Sequence, residues 1–314
     1  MNSRAVPTPI EPADDLPRDV PAPATLYSDL SQLAKTRLTA MVILTTFAGY
    51  MLANRGPVDG WRLFNTLLGT TLVALCSSIM NQAFERDTDA LMRRTELRPL
   101  VTRRLPFRAT VSCGLLLGTV GLVDLAVFVN NITTVLTALT LAVYVLIYTP
   151  LKRITVLNTL VGAIPGALPP LIGATAARGD FNAEGWCLFA ILAVWQLPHF
   201  YAIAWLYRED FRSASLRMVS VPDRSGKTTA WHALISALIL LPVSLLPVWA
   251  GFASLVYGGC ATALSFFFIF VAFRFVRKPE RRQARTLFLT SIIYLPLILA
   301  ALALDIPVRS WLGR

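Results

Sequence analysis

Charge is scarce in this chain: 15% of its 314 residues are Asp, Glu, Lys or Arg, while 55% are hydrophobic. That balance excludes an ordinary soluble domain. Histidine is rarer still, with two residues, and there are four cysteines. Cys76, Cys113, Cys187 and Cys260 all fall inside apolar runs without metal-type spacing. They form neither a zinc set nor a disulfide framework, and read as small buried hydrophobes. Alternation is missing too. The apolar runs are continuous, which excludes the strands of a membrane barrel. No strict repeat is present. Residues 1–27 have few large apolar side chains but hold six prolines and several acids, the composition of a disordered tail. No signal-peptide core is expected there, and the acids argue against a mitochondrial transit peptide. A bacterial inner membrane is the expected setting.

What the chain does have is nine apolar runs of membrane length, at about 38–54, 61–80, 107–127, 132–149, 156–176, 185–206, 231–249, 252–275 and 286–306. The expected fold class is an all-α polytopic membrane protein with about nine transmembrane helices. Charge then orients it. The N-terminal tail and the loops after spans two, four, six and eight hold 24 of the 29 Lys and Arg. The positive-inside rule places the N-terminus in the cytoplasm and, the span number being odd, the C-terminus outside. The net charge of +11 therefore requires no nucleic-acid partner. It reflects topology and contact with anionic membrane lipid. Spans two and six both run into long charged loops, a layout of two related four-helix halves with a ninth helix added. The expected domains are the tail, 1–27, and one transmembrane domain, 28–314.

The densest chemistry lies at residues 81–100, directly after span two. Asn81, Glu85 and Asp89 are spaced i, i+4, i+8 and share one face if the helix continues. Arg94, Arg98 and Pro99 follow. Carboxylates beside arginines suit Mg²⁺ and a phosphate chain: Mg²⁺ takes oxygen ligands, and Arg forks match phosphate oxygens. A second stretch, Trp195-Gln196-Leu197-Pro198-His199-Phe200-Tyr201, closes span six and is followed by Arg208, Glu209 and Asp210. Gln, Pro and His together in a span imply a polar cavity. Taken alone, His199 is more often a helix-packing residue than a ligand. The third stretch is Tyr148-Thr149-Pro150-Leu151-Lys152-Arg153, leading into a span with Gly162, Pro165, Gly166, Pro169, Pro170 and Gly173. Its Pro-Pro pair is expected to break the helix beside a cavity. Lys35-Thr36-Arg37 before span one is explained by topology, with a phosphate contact as the alternative.

Taken in order, these elements resemble the protohaem IX farnesyltransferase (haem O synthase) family of the UbiA-type intramembrane prenyltransferases. The elements are Asn-x₃-Glu-x₃-Asp-x₂-Met-x-Arg-Thr-x₂-Arg-Pro-Leu, Tyr-Thr-Pro-Leu-Lys-Arg, Ala-Leu-Pro-Pro-Leu-Ile-Gly and Trp-Gln-Leu-Pro-His-Phe. The resemblance covers roughly residues 28–300, and Pro-His-Phe is the element that singles out this branch. It implies helices around a lateral cavity and Mg²⁺ as cofactor. It also implies farnesyl transfer from farnesyl diphosphate to a vinyl group of haem B. Hand-over to a downstream haem-modifying enzyme or to cytochrome oxidase assembly would follow. Glu85 stands where the family usually has Asp, Thr36 replaces a usual Pro, and the second acidic motif is reduced to Glu209-Asp210.

On this resemblance Glu85 and Asp89 hold one Mg²⁺, and Asp210 with Glu209 a second. Asn81 orients a metal-bound water or a phosphate oxygen. Arg94, Arg98, Lys152 and Arg208 clamp the diphosphate. Trp195 and His199 meet the haem, where His199 positions a water, ligates the iron or bonds a propionate. Trp195, Phe200, Tyr201 and Trp205 offer aromatic faces, each worth about 0.5–2 kcal/mol to a nearby cation. His232, at the start of span seven, is a conceivable second haem ligand. Three competing readings remain. A quinone-type prenyltransferase would share the acids but not the Pro-His-Phe element. A lipid-headgroup phosphotransferase would need a tighter aspartate cluster. A transporter would place its polar groups at the bilayer midplane rather than at one rim.

Overall fold

The computed structural model describes residues 25–311, with side chains as far as Asp305. Residues 1–24 of the expected tail lie outside the described part. From Thr25 onward the chain is already structured: Thr25 Oγ1 accepts the Ser28 amide and opens α1 at Leu26, two residues before the expected domain start.

Among the described residues all regular structure is helical. The elements are α1 (Leu26–Ala34), α2 (Thr36–Ala53), α3 (Gly60–Asp89), α4 (Phe107–Phe128), α5 (Asn131–Ala142) with a π-helical turn (Val143–Tyr148), α6 (Thr149–Leu151), α7 (Asn158–Arg178), α8 (Ala183–Leu206), α9 (Arg208–Ser213), α10 (Lys227–Ser244), α11 (Leu246–Trp249), α12 (Leu255–Arg277) and α13 (Arg281–Trp311). Nine helical stretches among them are long and apolar enough to cross a membrane. The protein is a multi-pass membrane protein, and the nine expected spans agree with these helices to within a few residues except at one end. The exception is α3, which runs nine residues beyond the expected end of span two and carries Asn81, Glu85 and Asp89 as helix.

The two rims of the bundle differ chemically. One carries the arginine-rich ends of α3, α12 and α13. At the other, α3, α5, α8 and α12 begin, each capped by its own side chain: Asp59, Asn130, Asn182 and Ser254. Trp61 stacks with Phe64 and meets Phe128 edge-on, and Phe181 stacks with Trp186, on that second rim. Aromatic residues gathered at one rim in this way suit a membrane–water interface.

The helices close a ring. α2 packs on α3 and α7, α3 on α4, α4 on α5, α5 on α7, α7 on α8, and α8 on α10 and α13. α12 bridges α10 and α13, and α13 returns to α2 along the loosest seam of the ring. The α2–α7 contact is backbone on backbone. A Cβ on Gly49 would lie 1.9 Å from the Pro170 carbonyl oxygen, and one on Gly173 1.9 Å from that of Thr46. The Pro-Pro break expected in this span does not occur. α7 continues unbroken through Pro165, Pro169 and Pro170. It is the most deeply buried of the spans, so packing neighbours keep the helix continuous where backbone bonds are missing.

On the charged rim three loops and α1 are stitched together. Arg104 forks onto both carboxylate oxygens of Asp29, at 3.0 and 2.9 Å from Nε. Gln82 Nε2 donates to the Leu33 carbonyl at 2.8 Å. Ser213 Oγ donates to the Leu91 carbonyl, and the Arg217 amide to that of Lys152. The Arg104 guanidinium holds the Asp29 carboxyl below its usual range.

Candidate active site

A cavity of about 540 Å³ opens beneath these loops. Extension of α3 to Asp89 aims Asn81, Glu85 and Asp89 down one face into it, and Lys35, Arg94, Arg98, Tyr148 and Lys152 complete the polar wall. The expected row of acids is therefore brought together with three of the four expected phosphate cations. Each acid faces a cation. Arg98 Nη1 donates to Asp89 Oδ2 at 2.5 Å, and Lys152 Nζ to Glu85 Oε1 at 2.6 Å. Asn81 is buried; its Oδ1 accepts Lys35 Nζ, and its Nδ2 donates to Thr149 Oγ1 at 3.2 Å.

Local backbone places two of these groups. Lys35 links α1 to α2 in the left-handed region, with φ 47. For a non-glycine residue that conformation costs roughly 1 kcal/mol or more and recurs at functional sites. Here it turns the chain so that Lys35 points inward. The π-helical turn adds a residue to the helix repeat just before Lys152. Tyr144 and Tyr148 then both reach the site: Lys35 Nζ lies 3.4 Å from Tyr144 Oη, and Lys152 Nζ sits 4.6 Å from the Tyr148 ring centroid.

The two lysines behave oppositely. Burial, reinforced by repulsion from Arg98, brings Lys35 down to about 7, since its partners are the neutral Asn81 and Tyr144. Burial also works against the charge on Lys152, but Tyr148, Glu85 and Tyr144 outweigh it and hold its pKa above the usual lysine range.

Deeper in the bundle lies a second cavity of about 420 Å³, largely apolar, walled by α2, α3, α5, α7, α8 and α13. Leu38, Tyr148 and Phe200 line both cavities, so the charged chamber stands directly over the apolar one. Trp195, Gln196 and His199 line the lower chamber. Gln196 is kept there by donating to the Leu192 carbonyl at 2.9 Å, in the space that Gly166 leaves by having no side chain.

Three expected site residues stand elsewhere. Glu209 is turned outward and pairs with Arg208 at 2.9 Å and Arg212 at 2.6 Å. Arg208 lies over the Trp205 ring, 4.6 Å from its centroid. Neither lines the charged cavity, and nor does Asp210. Among the described residues no three acids, histidines or cysteines form one metal cluster. The expected second acidic site is thus not assembled beside the first: Glu209 is exposed and held by the arginines of its own helix, and Asp210, half-buried, stands outside the cavity wall. His232 also stands apart: it is exposed, bonds the Thr228 carbonyl at 2.7 Å and packs against Tyr201.

Some residues of the site escaped the sequence reading. Ser291 and Phe288 on α13 contact His199 from more than eighty residues away, and no local signal marks them. Tyr144 could have been found only from a π-helical turn that the apolar run does not reveal.

A Mg²⁺ ion fits the first acidic set. Glu85 and Asp89 supply hard carboxylate oxygens to one cavity, and Asp89 Oδ1 is buried with no hydrogen-bond partner, a lone pair for which a cation is the natural partner.

Comparison with known proteins agrees with this architecture. The chain is 41% identical to the protoheme IX farnesyltransferase of Koribacter versatilis over 303 residues, 92% of this chain and 97% of that one. It is 40% identical to the protein of the same name from Opitutus terrae, over 91% of this chain and 97% of that one. Among solved structures, a digeranylgeranylglyceryl phosphate synthase superposes with a TM-score of 0.75 at 14% identity, covering 89% of this chain and 98% of the other. A UbiA homologue from Archaeoglobus fulgidus bound to GPP and Mg²⁺ gives 0.66 at 14% identity, over 88% of this chain and 100% of its own. The model of the UbiA prenyltransferase family matches residues 42–296, and with it the fold, the acidic row and the two stacked chambers have one account: the chain belongs to the UbiA prenyltransferase family.

Proposed function

We propose that this protein transfers the farnesyl group of farnesyl diphosphate to a vinyl group of haem B, giving haem O. The observation that carries the reading is the stacking of the charged chamber on the apolar one through Leu38, Tyr148 and Phe200. That shape suits a substrate with an anionic head and a long apolar tail. The lower chamber's Trp195 and His199 suit a flat aromatic acceptor with a metal centre, and the relatives' name supplies its identity.

In this reading the diphosphate enters the charged chamber and exchanges partners with the ion pairs. Arg98 and Lys152 turn from Asp89 and Glu85 to phosphate oxygens, joined by Lys35 and Arg94. The freed Glu85 and Asp89 would hold Mg²⁺, which supplies charge neutralisation to the leaving group. Asn81 keeps Lys35 in place. The C–O bond to the farnesyl carbon breaks and its electron pair leaves with diphosphate. Fixed cations favour that charge where it develops. The vinyl π electrons of haem form the new C–C bond. A water then captures the resulting benzylic-type cation, and loss of its proton leaves a hydroxyethylfarnesyl side chain. Tyr148 and Phe200, between the chambers, shield the first cation from water and offer it aromatic faces.

We also propose a bacterial inner-membrane location with the basic rim in the cytoplasm. The test of the reaction is incubation of the purified protein with haem B, farnesyl diphosphate and Mg²⁺, with products identified by mass. A farnesylated, hydrated haem that disappears on chelation is expected. Prenylation of an aromatic quinone precursor in preference to haem would overturn the acceptor.

A further inference from the structure

We propose that Ser291 is a positioning residue that fixes His199 as its Nδ1–H tautomer and so presents the bare Nε2 to the apolar chamber as a ligand for the haem iron. The proposal rests on haem as the acceptor and adds the residue that prepares the histidine for it.

Ser291 Oγ lies 2.6 Å from the Phe288 carbonyl oxygen. Two oxygens at that separation need a proton between them, and a carbonyl has none to give. The hydroxyl hydrogen of Ser291 is therefore committed to Phe288. His199 Nδ1 lies 2.7 Å from the same Ser291 Oγ. With the hydroxyl proton spent, Nδ1–H must be the donor and Oγ the acceptor. Neutral imidazole carries one N–H, so Nε2 is left with its lone pair; the partner of one ring nitrogen sets the state of the other. Among the described residues nothing bonds Nε2.

The same serine holds the ring's surroundings. Its carbonyl accepts Trp195 Nε1 at 2.8 Å. Trp195 stacks on the imidazole at 5.4 Å between centroids, and Phe288 stacks on it at 5.0 Å. Ser291 is fully buried, so water does not compete for its hydroxyl. Through one residue the imidazole, its two stacking rings and its proton are fixed together.

A bare imidazole nitrogen calls for an acid; a water O–H would also answer it, but an ordered water needs further polar partners that a largely apolar chamber supplies sparsely. A haem propionate cannot answer it, because a carboxylate needs a donor that this tautomer does not offer. A planar metal complex does, since its iron accepts the lone pair while its faces meet the apolar walls.

The test uses the full chain in lipid bilayers with ¹⁵N-labelled histidine. The chain has two histidines, so His232→Gln, a change at the exposed surface, leaves His199 as the sole signal. Solid-state NMR without haem should show a protonated Nδ1 and a bare Nε2, retained in Ser291→Thr and replaced by a tautomer mixture in Ser291→Ala. Ferric haem B is then titrated by absorbance beside farnesyl diphosphate binding. An imidazole-ligated spectrum is expected, absent in His199→Ala. Loss of the outer hydrogen bond in Ser291→Ala should weaken haem about tenfold, with Ser291→Thr close to the parent and diphosphate binding unchanged in both. A protonated Nε2 in the parent, or a Ser291→Ala protein with the parent's tautomer and haem affinity, overturns the proposal. The expected tautomer with haem bound but no nitrogen ligand on iron overturns the ligand role and leaves the proposed reaction standing. Absence of any haem binding, with farnesyl diphosphate still bound, overturns haem as the acceptor itself.

Discussion

Asp89 shows how much one side chain carries here. It is buried, one oxygen is on Arg98 and the other has no partner. Asp89→Asn keeps the shape and removes the charge. Turnover is expected to fall by about 100-fold or more while the protein still inserts and folds, since preorganised charge at the leaving group is worth factors of that size. Parent-like turnover in a well-inserted protein would remove Asp89 from the site. Glu85→Asp shortens a side chain whose partner, Lys152, is on a long flexible stem, so activity should be largely kept. Lys35 gives a prediction in pH. Its pKa is lowered to about 7 by burial and by Arg98, so it is neutral at higher pH and charged below. A bound diphosphate favours the charged form, so binding takes up a proton above pH 7, and affinity must fall as pH rises from there. Lys35→Met should lose on the order of tenfold in diphosphate affinity at pH 6, the worth of one charge-assisted bond. It should also flatten the profile between pH 6 and 8.5 relative to the parent. An unchanged profile would place the titration elsewhere.

At the scale of the helix, the α2–α7 seam is where a small change meets backbone rather than side chain. An alanine methyl at Gly49 would overlap the Pro170 carbonyl, whereas one at Gly259 has nothing within 4 Å. Gly49→Ala should lower the melting temperature in detergent by roughly 5 °C or more, as overpacking against an unyielding neighbour does. Gly259→Ala should leave it unchanged. An equal response of the two would mean that α2 and α7 are free to separate. The helices themselves were legible from hydrophobic run length, and the acidic row from its spacing of four. What was not legible shares one physical cause: it depends on partners distant in sequence. The Pro169-Pro170 pair in α7 read as a break because propensity is local, while the packing that keeps the helix whole comes from α2, α5 and α8. Glu209 and Asp210 read as a metal site because they are acids on the right rim, whereas α9 pairs Glu209 with its own arginines and leaves Asp210 outside the cavity wall. The role of Ser291 is invisible until α13 is laid against α8.

The whole molecule is a polarised object, and that polarity decides from which side the diphosphate arrives. Arg86, Arg98 and Arg104 at the end of α3 and its loop, and Arg274, Arg277, Arg281 and Arg285 at the α12–α13 junction, crowd one rim. The capping residues and aromatic pairs crowd the other. On the proposed inner-membrane location, the positive-inside rule keeps the basic rim in the cytoplasm, where soluble prenyl diphosphate would be met by the cations of the charged chamber. With nine crossings, the segments 81–106 and 207–230 and the α12–α13 turn at Lys278 share a side. Single cysteines in a background lacking Cys76, Cys113, Cys187 and Cys260 test this. Glu96→Cys and Lys278→Cys report the basic rim, and Asp180→Cys the opposite one; all three positions are exposed. In intact spheroplasts an impermeant thiol reagent should label Asp180→Cys at once, and the other two only after permeabilisation. Labelling of Glu96→Cys from outside would invert the topology and put the diphosphate chamber on the wrong face for a cytoplasmic substrate. Labelling of Lys278→Cys alone from outside would break the shared-side count, and with it the nine-crossing bundle that stacks the charged chamber over the apolar one.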